Sequence, residues 1–222
     1  MLGLAASGCF LLADIGWLAL ARPAGLELLL PWFAALLVAG AFLPGLANQV
    51  TMARAHLAAP ALVYSLLPTK LVDLAAVVGL AGLSDLVDGA IARRLAQRSR
   101  LGGGLDPVVD GMFFGAVAVG LAAGGAYPPW LAAVVVARYA LPALIGGVLL
   151  LAGRRPAMRH TPLGQASTAV IALLLGALAL VRGFGWEAGP LVVVSEVVVP
   201  VGAAGTFANL LWANRAVIVG GR

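Results

Sequence analysis

Cysteine is nearly absent from this 222-residue chain, where Cys9 stands alone in an apolar run. A disulfide framework and a thiolate metal site are therefore excluded. Histidine is almost as scarce, and His56 and His160 read as structural or interfacial groups. Charge is thin too, at 10% of residues against 62% hydrophobic, and the mean hydropathy of +1.04 lies far above that of a soluble globular domain. The chain reads as an integral membrane protein without room for a soluble domain or a convincing internal repeat. Its net charge of +5 does not indicate nucleic acid, because the basic residues lie in short loops between apolar spans. Membrane topology and anionic lipid head groups account for them better.

What the chain does have is long apolar runs. Since roughly 20 apolar residues cross a bilayer, eight helical spans are expected at about 2–20, 25–43, 48–67, 70–95, 104–125, 129–151, 162–182 and 190–214. Breaks fall at Arg22-Pro23, Pro44-Gly45, Pro68, Gly124-Gly125, Gly153 to Pro156 and Gly183 to Gly189. The first span is too long for a signal peptide and lacks a small-residue cleavage pattern, so it is taken as a membrane helix. The fold class is all-α, a polytopic transmembrane bundle.

Arg93, Arg94, Arg98, Arg100, Arg154, Arg155, Arg159, Arg215 and Arg222 fall on one side of these spans, against Arg22, Lys70 and Arg182 on the other. The positive-inside rule then places the end of the fourth span, and both chain ends, at the cytoplasmic face.

Four of the nine acids crowd into that end: Asp85, Asp88, Asp106 and Asp110. Unpaired charge in an apolar setting costs several kcal/mol, so four carboxylates of one sign call for divalent cations. Asp85, Asp88, Gly89 and Ala92 are spaced i, i+3, i+4 and i+7 and share a helix face, as do Asp106 and Asp110 at i, i+4 on the next helix. A turn at Gly102, Gly103 and Gly104 is expected to bring the two faces together. Gly89 and Ala92 give a ligand access to the helix backbone, or serve helix packing, and both roles hold at once. Arg93 adds a fixed positive charge. Oxygen-only donors favour Mg²⁺ or Mn²⁺, and two such ions beside an arginine suit a pyrophosphate, hence phosphoryl transfer.

The string D-x2-D-G-x2-A-R-x8-G-x3-D-x3-D formed by Asp85, Asp88, Gly89, Ala92, Arg93, Gly102, Asp106 and Asp110 resembles the signature of the CDP-alcohol phosphotransferase family. Asn48, Thr51 and Arg54 resemble that family's N-x2-T-x2-R, and Ser84 sits where a small hydroxyl residue is common. The resemblance implies a six-helix core over 47–222 preceded by two additional helices in 1–46. It implies two metal ions on Asp85, Asp88, Asp106 and Asp110, with Asp110 as the general base. Asp85, Gly89, Ala92, Arg93, Gly102 and Thr51 would line the nucleotide pocket. The implied reaction transfers a phosphatidyl group from CDP-diacylglycerol to a small alcohol, releasing CMP. It would run in a homodimer at the cytoplasmic face of a bacterial inner membrane.

Arginines inside spans are costly unless they face a polar cavity, which makes Arg54 and Arg138 candidates for phosphate or acceptor binding. Arg154, Arg155 and Arg159 are candidates for the same role or for topology signals. Such cations suit a polyol phosphate acceptor, with glycerol 3-phosphate the leading expectation and inositol phosphate, serine or another alcohol as alternatives. Three departures from the family weaken the acceptor assignment: Tyr139 follows Arg138 where an acid is frequent, and Gln165 and Gly111 stand where a lysine is frequent. A reading of another class, a divalent-cation carrier or channel, accounts for the acids but leaves Arg93 unexplained. Lys70 and Asp73 form an expected i, i+3 pair, while Asp14, Glu27 and Glu196 lie within apolar stretches where pairing inside the bundle is open to them, with no partner identifiable.

Overall fold

The computed structural model describes residues 2–94, 102–153 and 162–215. The chain forms eight helices: α1 (Leu2–Ala21), α2 (Leu26–Phe42), α3 (Leu46–Ser65), α4 (Leu71–Arg94), α5 (Gly102–Ala123), α6 (Pro129–Leu151), α7 (Pro162–Gly183) and α8 (Gly189–Ala213). No strand occurs among the described residues. The helix ends match the expected spans within a few residues, because apolar length and Gly or Pro breaks act locally. Gly45 and Gly125 take positive φ at the turns before α3 and after α5, a conformation that glycine adopts without a Cβ penalty. Five segments are long and apolar enough to cross a membrane: Leu2–Ala21, Leu105–Ala123, Pro129–Leu149, Leu163–Gly183 and Gly189–Ala213.

One expectation is corrected here. Gly102, Gly103 and Gly104 open α5 as helix and form no turn; residues 95–101, which join α4 to α5, lie outside the described residues. Glycine is a poor helix former, but the packing of α5 along α3 outweighs that local preference.

Helices α3 to α8 close into a ring in the order α3, α4, α7, α8, α6, α5 and back to α3, while α1 and α2 pair together and lie against α3. Lipid tails are as apolar as side chains, so close backbone approach through small residues holds such a ring. A Cβ on Gly120 of α5 would fall on the Ser65 side chain of α3, and one on Gly124 would lie 2.8 Å from the Ser65 carbonyl oxygen. Gly183 of α7 meets Val72 of α4 in the same way, with the Val72 nitrogen 2.8 Å from such a Cβ. Gly202 of α8 meets Ser167 of α7 at 2.7 Å. Phe113, Val117, Leu121, Leu131, Val135, Ile171, Leu175 and Leu178 fill the interior.

Polar side chains gather on α3, where Asn48, Gln49, Thr51, Arg54 and His56 are all buried. Gln49 Nε2 donates to the Gly40 and Leu43 carbonyls at 2.9 and 2.7 Å, satisfying the C-terminal end of α2. Asp14 finds its partner in His56, with Oδ2 2.9 Å from Nδ1. Phe10 and Phe33 stack on the His56 ring, with centroids 4.7 and 6.0 Å away. His56 is thus structural, as expected. Glu27 and Glu196 occupy exposed positions and so do not pair inside the bundle as Asp14 does, because their helices turn those faces away from neighbours. Lys70 Nζ lies 3.0 Å from Asp73 Oδ2, the expected pair.

Candidate active site

The acidic motif is organised from α3. Thr51 and Arg54 are one turn apart and face Asp106 and Asp110, themselves one turn apart on α5, so the two helices meet in matching register. Thr51 Oγ1 lies 2.8 Å from Asp106 Oδ1, against 3.2 Å to its own helix's Ala47 carbonyl. Arg54 Nη1 is hydrogen-bonded to Asp110 Oδ1, and Nη2 stands 3.2 Å from Asp85 Oδ1 on α4. One buried guanidinium therefore ties together carboxylates from two other helices.

Burial grades the site. The Arg54 side chain is 1% exposed, Asp110 12% and Asp85 58%. The site thus opens at Asp85 and closes at Asp110, where an unpaired carboxylate would be costly and Arg54 compensates it. Thr51 and Arg54, expected at the nucleotide and at a phosphate, are placed on the carboxylates themselves.

Asp88, Gly89, Ala92 and Arg93 fall in the last two turns of α4, and Gly102 opens α5, but their side chains lie outside the described residues. Arg154, Arg155 and Arg159 lie outside them as well. Ser84 turns back onto its own helix, its hydroxyl 2.7 Å from the Ala81 carbonyl. Gln165 is exposed.

Among the described residues no three acids stand close enough to form a metal cage. The donors of Asp85, Asp106 and Asp110 are oxygen alone, a set that fits hard cations such as Mg²⁺ or Mn²⁺ and disfavours zinc. Arg54 meets the same charge requirement that a cation would meet.

A second polar cluster adjoins the first. Arg138 of α6 is 4% exposed, and its Nη2 donates to the Gly164 carbonyl at 2.9 Å and to Thr168 Oγ1 at 3.0 Å. Its guanidinium lies 4.6 Å from the centroid of the Tyr139 ring. Tyr139 was visible in the sequence only as a departure from the family pattern, and Thr168 was not singled out. The signal available was Gly111, beside Asp110, where a Cβ would come 2.7 Å from Tyr139 Cβ.

A sequence profile of CDP-alcohol phosphatidyltransferases matches residues 45–208. The chain is 38% identical over 112 residues to the cardiolipin synthase (CMP-forming) of Streptomyces coelicolor, covering 50% of this chain and 52% of that protein. It is 38% identical over 92 residues to the cardiolipin synthase (CMP-forming) of Homo sapiens, covering 41% of this chain and 30% of that protein. The matched stretches thus span about half of the first relative and less than a third of the second. With a profile match that runs from the turn before α3 into α8 and takes in the whole acidic motif, the chain belongs to the CDP-alcohol phosphatidyltransferase family.

Proposed function

We propose that the protein transfers a phosphatidyl group from CDP-diacylglycerol to the hydroxyl of an alcohol acceptor, releasing CMP. The observation that carries this reading is the convergence of Thr51 and Arg54 on Asp106, Asp110 and Asp85 at the meeting of three helices. Asp85, Asp88, Asp106 and Asp110 would hold two divalent cations, which when bound would neutralise diphosphate oxygens and favour departure of the nucleotide phosphate. Thr51 and Arg54 aim the α5 carboxylates. Asp110 takes the proton of the acceptor hydroxyl, whose oxygen forms a bond to the lipid-bearing phosphorus as the bond from that phosphorus to the oxygen of CMP breaks. Aspartate is a weak base, with a reference pKa near 3.9, so the step depends on in-line positioning. Gly89, Ala92, Arg93 and Gly102 form the nucleotide pocket.

The second cluster and the relatives support a reading of the acceptor. Both named relatives form cardiolipin, which supports an acceptor of the phosphatidylglycerol kind over free glycerol 3-phosphate. Arg138, a buried cation whose described partners are all neutral, suits the acceptor's phosphate, and Arg154, Arg155 and Arg159 would draw anions toward the site. We place this chemistry at the cytoplasmic face of a bacterial inner membrane, in a six-helix unit from residue 47 onward acting as a homodimer, with 1–46 as an added helix pair.

The test is CMP release by purified protein given CDP-diacylglycerol, Mg²⁺ and a panel of alcohols, with EDTA as the metal-free arm. Asp110→Asn is expected to lose turnover, by about 10²-fold or more, while still binding the liponucleotide. Unchanged turnover in that variant, or cation flux without CMP, would overturn the assignment.

A further inference from the structure

The contact between Gly111 and Tyr139 places an α6 side chain directly on the residue that follows Asp110. A Cβ at position 111 would lie 2.7 Å from Tyr139 Cβ and 3.3 Å from its Cγ, so no side chain fits there while Tyr139 stays in place. The Tyr139 ring is held by Phe114, stacked at 6.2 Å between centroids and 20° between planes. Its hydroxyl is shut off from solvent and makes no well-aligned hydrogen bond among the described residues, although the Thr168 hydroxyl and the Arg138 guanidinium lie beside it, and Arg138 Nε likewise has no partner there. Buried polar atoms are nearly always satisfied, so a guanidinium nitrogen and a phenol hydroxyl left open side by side suit a polar ligand. Among the described residues Arg138 has no carboxylate within ion-pair distance, so an anion would balance its charge.

Resting on the phosphatidyl-transfer reading above, we propose that Tyr139, seated on Gly111, is a specificity-determining residue of the acceptor subsite. Together with Arg138 and Thr168 it takes a phosphodiester monoanion carrying a free hydroxyl, as on an anionic glycerophospholipid head group. One guanidinium balances one charge, and the hydroxyls of Tyr139 and Thr168 add neutral hydrogen bonds. A phosphate monoester brings a second negative charge that these groups leave uncompensated in a poorly solvated site. Position 111 lies next to the base and is the natural place for another cation, but Tyr139 fills its space. Gly111 therefore selects against monoesters by having no side chain.

The experiment uses the full chain in mixed micelles with CDP-dioleoylglycerol and Mg²⁺, and compares dioleoyl phosphatidylglycerol with glycerol 3-phosphate as acceptor. The parent is expected to use the lipid at least about 100-fold better in kcat/KM, because the monoester's second charge is left uncompensated. Tyr139→Phe keeps the ring and its contacts with Gly111 and Phe114. It is expected to raise the KM for phosphatidylglycerol about 10-fold or more, while the KM for CDP-dioleoylglycerol and the melting temperature stay at parental values. The double variant Gly111→Lys with Tyr139→Ala, which exchanges the ring for a cation, is expected to shift preference toward glycerol 3-phosphate. An unchanged acceptor KM in Tyr139→Phe, or a parent that uses the monoester equally well, overturns the subsite and leaves phosphatidyl transfer standing. A parent that releases no CMP with either acceptor overturns phosphatidyl transfer itself, and the subsite with it.

Discussion

Replacing Arg54 with methionine isolates the charge balance on which the acidic cluster rests. The guanidinium is 1% exposed and, among the described residues, touches two carboxylates in different surroundings. Asp85 is 58% exposed, so water replaces the lost arginine and that contact accounts for about 0–1 kcal/mol at most. Asp110 is 12% exposed, and without its partner it becomes a buried, uncompensated carboxylate, which costs about 3–5 kcal/mol. Arg54→Met in EDTA is therefore expected to melt about 6–20 °C below the parent, at about 2–4 °C per kcal/mol for a chain of this size. Adding Asp110→Asn removes the stranded charge, so the double variant is expected to regain about 2 kcal/mol or more relative to Arg54→Met. Thermal melts of the detergent-solubilised protein, with the four members of the cycle run side by side, provide the measurement. If the two substitutions add within about 0.5 kcal/mol, Arg54 does not balance Asp110 and the proposed organisation of the site from α3 is wrong.

Gly120→Ala would drive a Cβ into the Ser65 side chain and to 3.1 Å from the Leu62 carbonyl, and is expected to cost about 1–3 kcal/mol in the same melts. Adding Ser65→Ala should recover only part of this, because Ser65 Cβ itself lies 2.8 Å from the inserted atom. Tyr127 sits in the turn between α5 and α6, where burial pushes its phenol from 10.0 up to about 12 against a smaller downward pull from Ser195. The unfolded phenol ionises first, so this contribution is intact below pH 10 and is lost as pH rises through about 12, at about 1.4 kcal/mol per pH unit. Tyr127→Phe should flatten that alkaline decline with little loss at neutral pH, since the hydroxyl makes no well-aligned hydrogen bond among the described residues and only a weak contact with Ser195. Equal alkaline slopes in the two proteins would refute it.

Eight helices were legible in the sequence because apolar runs and Gly or Pro breaks are local properties, and the ends agree within a few residues, although five rather than eight segments are long and apolar enough to cross a membrane. The i, i+3, i+4 spacing of the acids was likewise enough to assign them to two helix faces. Spacing along a helix does not specify what stands opposite. Thr51 and Arg54 meet acids 55 and 56 residues away only because α3 packs between α4 and α5, a packing that depends on Gly120 and Gly124 letting two backbones approach. Asp14 was visible as an acid in an apolar run, but its partner His56 lies 42 residues on and becomes its neighbour only once α1 docks on α3. Gly111 was visible as a departure from the family, and its cause, the Tyr139 ring filling the space, belongs to the α5–α6 contact. By itself the sequence determined the helices and the donor chemistry, which follow from composition and period. Tertiary structure alone decided which groups balance the acids and what closes the acceptor side, because both depend on contacts between helices far apart in the chain.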